Sequence, residues 1–221
     1  MLRNKSMVVG STGLVGKSLV AHLIEGKVSV KALLRNNKVS SDPLLDYIRV
    51  DFDNLQLPAN TFSDIYDLYI CLGTTIKKAG SKEAFQKVDI QYCLDIAKEA
   101  QKKGVRNISI ITSLGSDSNS SNFYLKTKGL VENQIRALNF DSISIYRPGL
   151  LIGSREEIRT GEYLGQKIYP VLINPLLRGR LRKYRSINAD ILAKAMKRLS
   201  GFKEGVNIYY FDDFIKETAS S

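Results

Sequence analysis

Lys5-Ser6-Met7-Val8-Val9-Gly10-Ser11-Thr12-Gly13-Leu14-Val15-Gly16-Lys17-Ser18-Leu19-Val20-Ala21-His22-Leu23-Ile24 decides how this chain folds. Met7 to Val9 form a short apolar run, as a buried strand does. Leu14, Leu19, Leu23 and Ile24 recur at helical spacing beyond it. Between them, Gly10, Gly13 and Gly16 follow a G-x-x-G-x-x-G spacing. Such a turn leaves the strand tightly, lets backbone approach a pyrophosphate and packs the helix close to the strand. The helix start adds unpaired N–H groups and a positive dipole end, which suit an anion. A P-loop is the weaker reading. Ser11 to Ser18 matches that pattern except for Ser in place of its first Gly, and the later strands end in Leu72-Gly73 and Thr112-Ser113, not in a magnesium-binding acid.

Working outward, Val28 to Leu34 is predicted as a second strand that ends at Arg35. An acid at this place holds a ribose 2′-hydroxyl, whereas an arginine accommodates a 2′-phosphate, so Arg35 favours NADP(H) over NAD(H). Tyr47 to Val50 is a third strand closed by Asp51. Ile65 to Leu72 is a fourth, apolar apart from Asp67, and runs into Gly73-Thr74-Thr75. A helix over 84–102 ends at Gly104, and Ile108 to Ile111 leads to Thr112-Ser113. A helix from Phe123 to Leu138 and a sixth strand, Ser142 to Tyr146, stop at Arg147-Pro148-Gly149. Patterning then breaks down from Leu150 to Ser186, a stretch holding Pro170, Pro175, the apolar Ile168 to Leu177 and the basic run 178–185. Ala189 to Leu199 is helical again, and Val206 to Phe211 is a final strand.

Alternating strands and helices give an α/β fold of Rossmann type: a doubly wound, mainly parallel sheet with helices on both faces. We expect one NAD(P)-binding domain over 1–221, with 150–186 as a small C-terminal cap above the substrate site. Ligands of such sheets sit beyond the carboxyl ends of the strands, where the glycine turn, Gly73 and Ser113 all fall. On the helix after Ser113, Tyr124 and Lys128 stand at i and i+4, on one face. A phenol titrates near 10 and needs a neighbouring cation to work at neutral pH, which Lys128 can provide. Ser113 can then hydrogen-bond a substrate oxygen.

Bulk composition sets the remaining bounds. The 43 % hydrophobic and 25 % charged content is ordinary for a globular chain, and 221 residues suffice for one sizeable core. No apolar run approaches the roughly 18 residues of a membrane span. The first strand begins within about seven residues, leaving no room for a leader, and Cys71 and Cys93 lie in apolar surroundings. Both point to the cytoplasm. A single histidine, His22, lies away from the glycine turn, so neither a Ser-His-Asp triad nor a metal site is expected. The net charge of +11 fits either an anionic ligand or a solvated basic face. The expected partner is a small-molecule substrate. A homodimer, and nucleic acid or an anionic surface at 178–185, are secondary expectations; that run carries one aromatic, Tyr184, too few for base stacking.

Gly10 to Gly16, Arg35, Asp51, Cys71-Leu72-Gly73-Thr74-Thr75, Ser113, Tyr124 to Lys128 and Arg147-Pro148-Gly149 together resemble the short-chain dehydrogenase/reductase superfamily, atypical branch. C-L-G-T-T-x-x-K-A-G, S-N-F-Y-L-K-T-K-G and R-P-G-L-L-I-G are similar to the Tat-interacting-protein oxidoreductases and their bacterial relatives. The resemblance runs from about residue 5 to 200. It implies an oxidoreductase that moves a hydride to or from a small carbonyl or alcohol. It implies that Gly10, Thr12, Gly13, Leu14, Val15, Gly16, Arg35, Asp51, Leu72, Gly73, Thr74, Lys128 and Pro148 hold NADP(H), with Asp51 toward the adenine. Ser113, Tyr124 and Lys128 match the catalytic set. One departure is Asp89, which stands where the superfamily carries an active-site Asn on the helix after strand four. It motivates a second reading, a catalytically weak protein that senses NADPH and binds a partner accordingly.

Overall fold

The computed structural model describes residues 5–153 and 174–219. Seven strands form one sheet in the order β3-β2-β1-β4-β5-β6-β9, and every pairing is parallel. They are β1 (Lys5–Val9), β2 (Ser29–Leu34), β3 (Leu45–Arg49), β4 (Asp67–Ile70), β5 (Asn107–Ile111), β6 (Ser142–Tyr146) and β9 (Gly205–Tyr209). A second, two-stranded parallel piece pairs β7 (Leu151–Ile152) with β8 (Ile187–Asn188).

The period of two along each strand sends alternate side chains into two cores. Met7, Val9, Leu68, Ile70, Ile108, Ile110, Ile143 and Ile145 face one of them, covered by α4 (Tyr92–Lys102) and α5 (Phe123–Arg136). Val8, Tyr69 and Tyr146 face the other, covered by α1 (Leu14–Glu25), α6 (Ala189–Leu199) and α7 (Phe211–Ala219). The chain runs outward from β1 to β3 and then returns to β4 on the other side of β1. The strand order therefore reverses between β1 and β4, which opens a crevice at their carboxyl ends.

Several boundaries differ from the sequence reading for local reasons. The fourth strand is shorter than Ile65 to Leu72, because beyond Cys71, whose N–H still bonds Val9 O at 2.8 Å, the chain leaves the sheet at the crevice. The last strand stops at Tyr209. Phe211, assigned to it, instead opens α7, whose start is held by the Asp213 carboxylate accepting from the Tyr210 N–H at 2.8 Å. The helix expected over 84–102 begins earlier, as α3 (Lys82–Gln86) capped by Ser81, and passes through a π turn (Lys87–Gln91) before α4. A one-turn α2 (Ile76–Ala79) precedes it, capped by Thr75 and ended by Gly80 at φ +88°.

Asp67, a polar exception in the fourth strand, is buried. It accepts from Asn107 Nδ2 at 2.9 Å and Ser200 Oγ at 3.0 Å, which ties β4 and β5 to the end of α6. The expected cap, 150–186, falls largely on 154–173, and these residues, with Pro170 and Ile168, lie outside the described ones. The basic run folds as a 3-10 helix (Gly179–Tyr184) in which Arg182 pairs with Asp212 of α7 at 2.8 Å, while Arg185 Nε donates to Leu177 O. Among the described residues no helix is long and apolar enough to cross a membrane.

His22 clips α1 to α6. Its Nε2 lies 2.6 Å from Asp190 and its Nδ1 3.1 Å from Glu25, and Lys194 approaches Asp190 at 3.1 Å. Burial works against the Asp190 charge, but the hydrogen bonds from His22 and Lys194 overcome it and hold this carboxyl below its usual value. A carboxyl depressed in the folded state contributes stability above its unfolded pKa of about 4 and loses it as pH falls through the folded value. Asp190→Asn should therefore flatten the acid limb of stability below about pH 4, which urea titrations at a series of pH values would measure.

Candidate functional site

The glycine turn lies at the carboxyl edge beside the crevice. Gly10 adopts φ +85°, and a Cβ there would stand 2.6 Å from the Cys71 carbonyl carbon and oxygen, so any side chain would drive β1 from β4. The Gly13 N–H donates to Gly10 O at 3.0 Å, and Gly13 opens α1. Gly16 is buried against the Gly10 carbonyl with no space for a methyl group. The start of α1 has no side-chain cap and no acid in its first turn, which leaves its first N–H groups directed at the crevice. Ser11 is 5 % exposed, yet its Oγ has no hydrogen-bond partner among the described residues. A helix start without a cap beside an orphaned buried hydroxyl fits a phosphate acceptor.

Leu72-Gly73-Thr74 follows β4 across the crevice. A Cβ on Gly73 would sit no nearer than 4.0 Å to Asp89 Oδ1 and Lys128 Nζ, so space remains beside these two groups. They form a buried ion pair at 2.5 Å with side chains 0 % and 7 % exposed. The second Asp89 oxygen accepts from the Thr74 N–H at 3.1 Å. Burial alone would lower the Lys128 pKa, but the Asp89 carboxylate, aided by Tyr124, raises it above the usual lysine value and keeps the ammonium charged. Asp89 occupies the π turn and is the buried residue of that turn.

Tyr124 is half-exposed at the start of α5, its ring centroid 5.8 Å from Lys128 Nζ and 6.0 Å from that of Phe85. Asn122 caps this helix by accepting from the Leu125 N–H. Gly129 packs without room for a side chain on the backbone of Asp117 and Ser118, which fixes α5 against the loop after Ser113. Tyr124 and Lys128 thus meet as expected. Ser113 Oγ instead donates to Leu114 O at 3.3 Å.

The other residues singled out from sequence divide into two groups. Thr12 and Gly13 are exposed at the mouth, Leu14 packs beneath Gly153, and Pro148 is buried and accepts from the Leu114 N–H at 2.9 Å. The Val15 side chain points into the core, so only its backbone faces the crevice. Arg35 and Asp51 are exposed beyond β2 and β3, and Asp51 Oδ1 accepts from the Asp53 N–H. Asp53 pairs with Lys87 at 2.5 Å and accepts from Tyr92 at 2.6 Å; these bonds hold its carboxyl below the usual range.

Sequence reasoning missed Ser11 and Glu132. Glu132 is 1 % exposed and receives Arg147 through Nε at 2.9 Å and Nη2 at 2.5 Å, Thr112 Oγ1 at 2.7 Å and Arg136 at 3.3 Å. Its bonds hold the Arg147 pKa above the usual arginine value, against partial burial. This one carboxylate joins α5 to the ends of β5 and β6. Its signal was available: Glu132 stands one turn beyond Lys128 and can share its helix face. Removing one partner of such a pair leaves a buried charge, so Glu132→Ala should cost about 3–5 kcal/mol in urea unfolding.

Known proteins share this fold. A family profile described as NAD(P)H-binding matches residues 10–167. Protein HTATIP2 from Rattus norvegicus is 34% identical over 174 residues, covering 76% of this chain and 72% of its own. The Candida albicans protein "FMP52, mitochondrial" is 30% identical over 222 residues, covering 96% of each chain. Among solved structures, a putative NAD-dependent epimerase/dehydratase from Bacillus halodurans superposes with a TM-score of 0.62 at 19% identity, over 88% of this chain and 86% of its own. MoeE5 in complex with UDP-glucose and NAD superposes with a TM-score of 0.67 at 14% identity, over 98% of this chain and 81% of its own. The chain belongs to the NAD(P)H-binding family, in the atypical short-chain dehydrogenase/reductase group with HTATIP2 and FMP52.

Proposed function

We propose that this protein is an NADP(H)-dependent oxidoreductase acting on a small carbonyl compound or alcohol. The observation that carries the reading is the glycine turn and the Tyr124–Lys128 pair on one carboxyl edge, with Gly73 leaving open space beside Lys128. The nicotinamide cofactor, when bound, supplies or accepts the hydride. Gly10, Thr12, Gly13, Gly16 and the backbone of Leu14 and Val15 would hold its diphosphate, and the Ser11 hydroxyl would add a donor. Arg35 would pair with a 2′-phosphate and Asp51 would take the adenine side, with Leu72, Gly73, Thr74 and Pro148 lining the crevice.

Tyr124 gives its phenolic proton to the substrate oxygen in reduction and takes it back in oxidation. Lys128 holds positive charge beside the phenol and donates to the cofactor ribose. Ser113 turns its hydroxyl from Leu114 O to the substrate oxygen. The reading places the protein in a reducing compartment, where Cys71 and Cys93 stay as the free thiols seen here. A second reading, cofactor-dependent partner binding without turnover, is favoured by the engagement of Ser113 with Leu114 rather than with the crevice.

NADPH at about 100 times its Kd should raise the melting temperature by roughly 5–11 °C, and NADH by clearly less. Arg35→Ala should erase that difference; equal shifts in the wild type would remove the role of Arg35. In NADPH-driven reduction of a carbonyl panel, Tyr124→Phe should lower kcat about 10²- to 10⁴-fold. Unchanged turnover would remove Tyr124 as the acid–base group, and cofactor binding without turnover on any substrate would favour the second reading.

A further inference from the structure

Asp89 and Lys128 are the most deeply buried ion pair at the site, and no part of the mechanism above uses the carboxylate. The two charges lie 2.5 Å apart, with Asp89 wholly buried. Tyr124 looks onto the pair from the same helix face as Lys128, 5.8 Å from ring centre to ammonium. The remaining carboxylate oxygen accepts from the Thr74 N–H, in the loop after β4 and next to the space left by Gly73. One side chain on the π turn thus joins the loop after β4 to α5.

The charges have a direct consequence for the phenol. A lone ammonium at this distance favours phenolate, because opposite charges within about 4–6 Å favour the charged form. A carboxylate in contact with that ammonium opposes its field, and Tyr124 meets a dipole rather than a net positive charge. The other titratable group reaching this pair is Cys93 of α4, whose thiol burial pushes up to about 12, so it stays neutral. Lys82 of α3 lies over the Phe123 ring, 5.3 Å from its centre, one residue from Tyr124.

We propose that Asp89 is a positioning residue: it fixes the Lys128 ammonium and the Thr74 backbone together and opposes the Lys128 field at Tyr124, which keeps the phenol protonated and sets the acid limb of alcohol oxidation at a higher pH than Lys128 alone would. The inference rests on Tyr124 as the acid–base group. It gives the Asp at this position a role that a neutral amide of the same shape cannot fill.

The test follows the Tyr124 ring carbon that bears the hydroxyl by NMR, in protein labelled at that carbon and saturated with NADPH, its signal assigned by loss in Tyr124→Phe. In Asp89→Asn the phenol should titrate about one pH unit or more below wild type, and the acid limb of alcohol oxidation should move down with it. Asp89→Asn/Lys128→Gln removes both charges while keeping the buried shape, and its Tyr124 midpoint should return to within a few tenths of a unit of wild type. This second variant also answers the question if the single variant, left with an unpaired buried lysine, does not fold. There, a midpoint about one unit above wild type would mean that Lys128 acts unopposed in the native site, and would overturn the proposal. So would an unmoved midpoint in a folded Asp89→Asn. The midpoints need no turnover, so they decide the role of Asp89 separately from Tyr124→Phe kinetics, which decide whether Tyr124 is the acid–base group.

Discussion

The carbonyl group of Gly10 is enclosed by backbone. Gly13 donates to it, Gly16 lies against it, and the next strand's Cys71 and Leu72 leave no room for a side chain on Gly10 itself. Every large feature of the fold depends on this close approach. β1 and β4 lie side by side here because Gly10 lets the chain leaving β1 turn into α1 against Cys71 and Leu72 without a side chain in the way. The same turn aims the start of α1 into the crevice created where the strand order reverses. Sheet order, helix packing and an anion-accepting helix end are thus one constraint.

Buried carboxylates then hold both ends of the sheet, Asp67 at its amino edge and Glu132 and Asp89 at the rim of that crevice. Asp67 joins β4, β5 and the end of α6; Glu132 joins β5, α5 and β6; Asp89 joins the π turn, α5 and the loop after β4. Removing a carboxylate from water is costly, and each of these three recovers that cost only through several donors at once. That requirement resists movement of the elements supplying the donors. Apolar packing alone does not impose it, since Leu, Ile and Val tolerate small shifts at modest cost. The edge carrying Ser113, Tyr124 and Lys128 is therefore held by charge and hydrogen bonding, and the faces beneath it by hydrophobic burial.

The excess of positive charge is also partly used within the fold. Lys197 caps the end of α1 by donating to His22 O at 2.5 Å, Arg182 ties the 3-10 helix to α7, and Arg147 is enclosed by Glu132. Arg35 differs, because it is exposed beyond β2 among groups that line the same edge.

Much of this was legible in the chain itself. Strand and helix alternation, the glycine spacing and the Tyr124–Lys128 interval are local patterns, each set by backbone sterics or helix geometry over a few residues, and the parallel sheet follows from them. The C-terminal helix was missed at Phe211 although Phe214 and Ile215 continue its apolar stripe. A short apolar run before it suits strand and helix alike. The partners of Asp67, Asp89 and Glu132 were not legible in the same way. Asn107, Lys128 and Arg147 lie 40, 39 and 15 residues away, and nothing in sequence states which strand ends meet. Local sequence determined most of the elements and the place of the glycine turn at a strand's carboxyl end. Which charge neutralises which was decided by folding, because the cost of an unpaired buried ion is felt only once distant elements have closed around it.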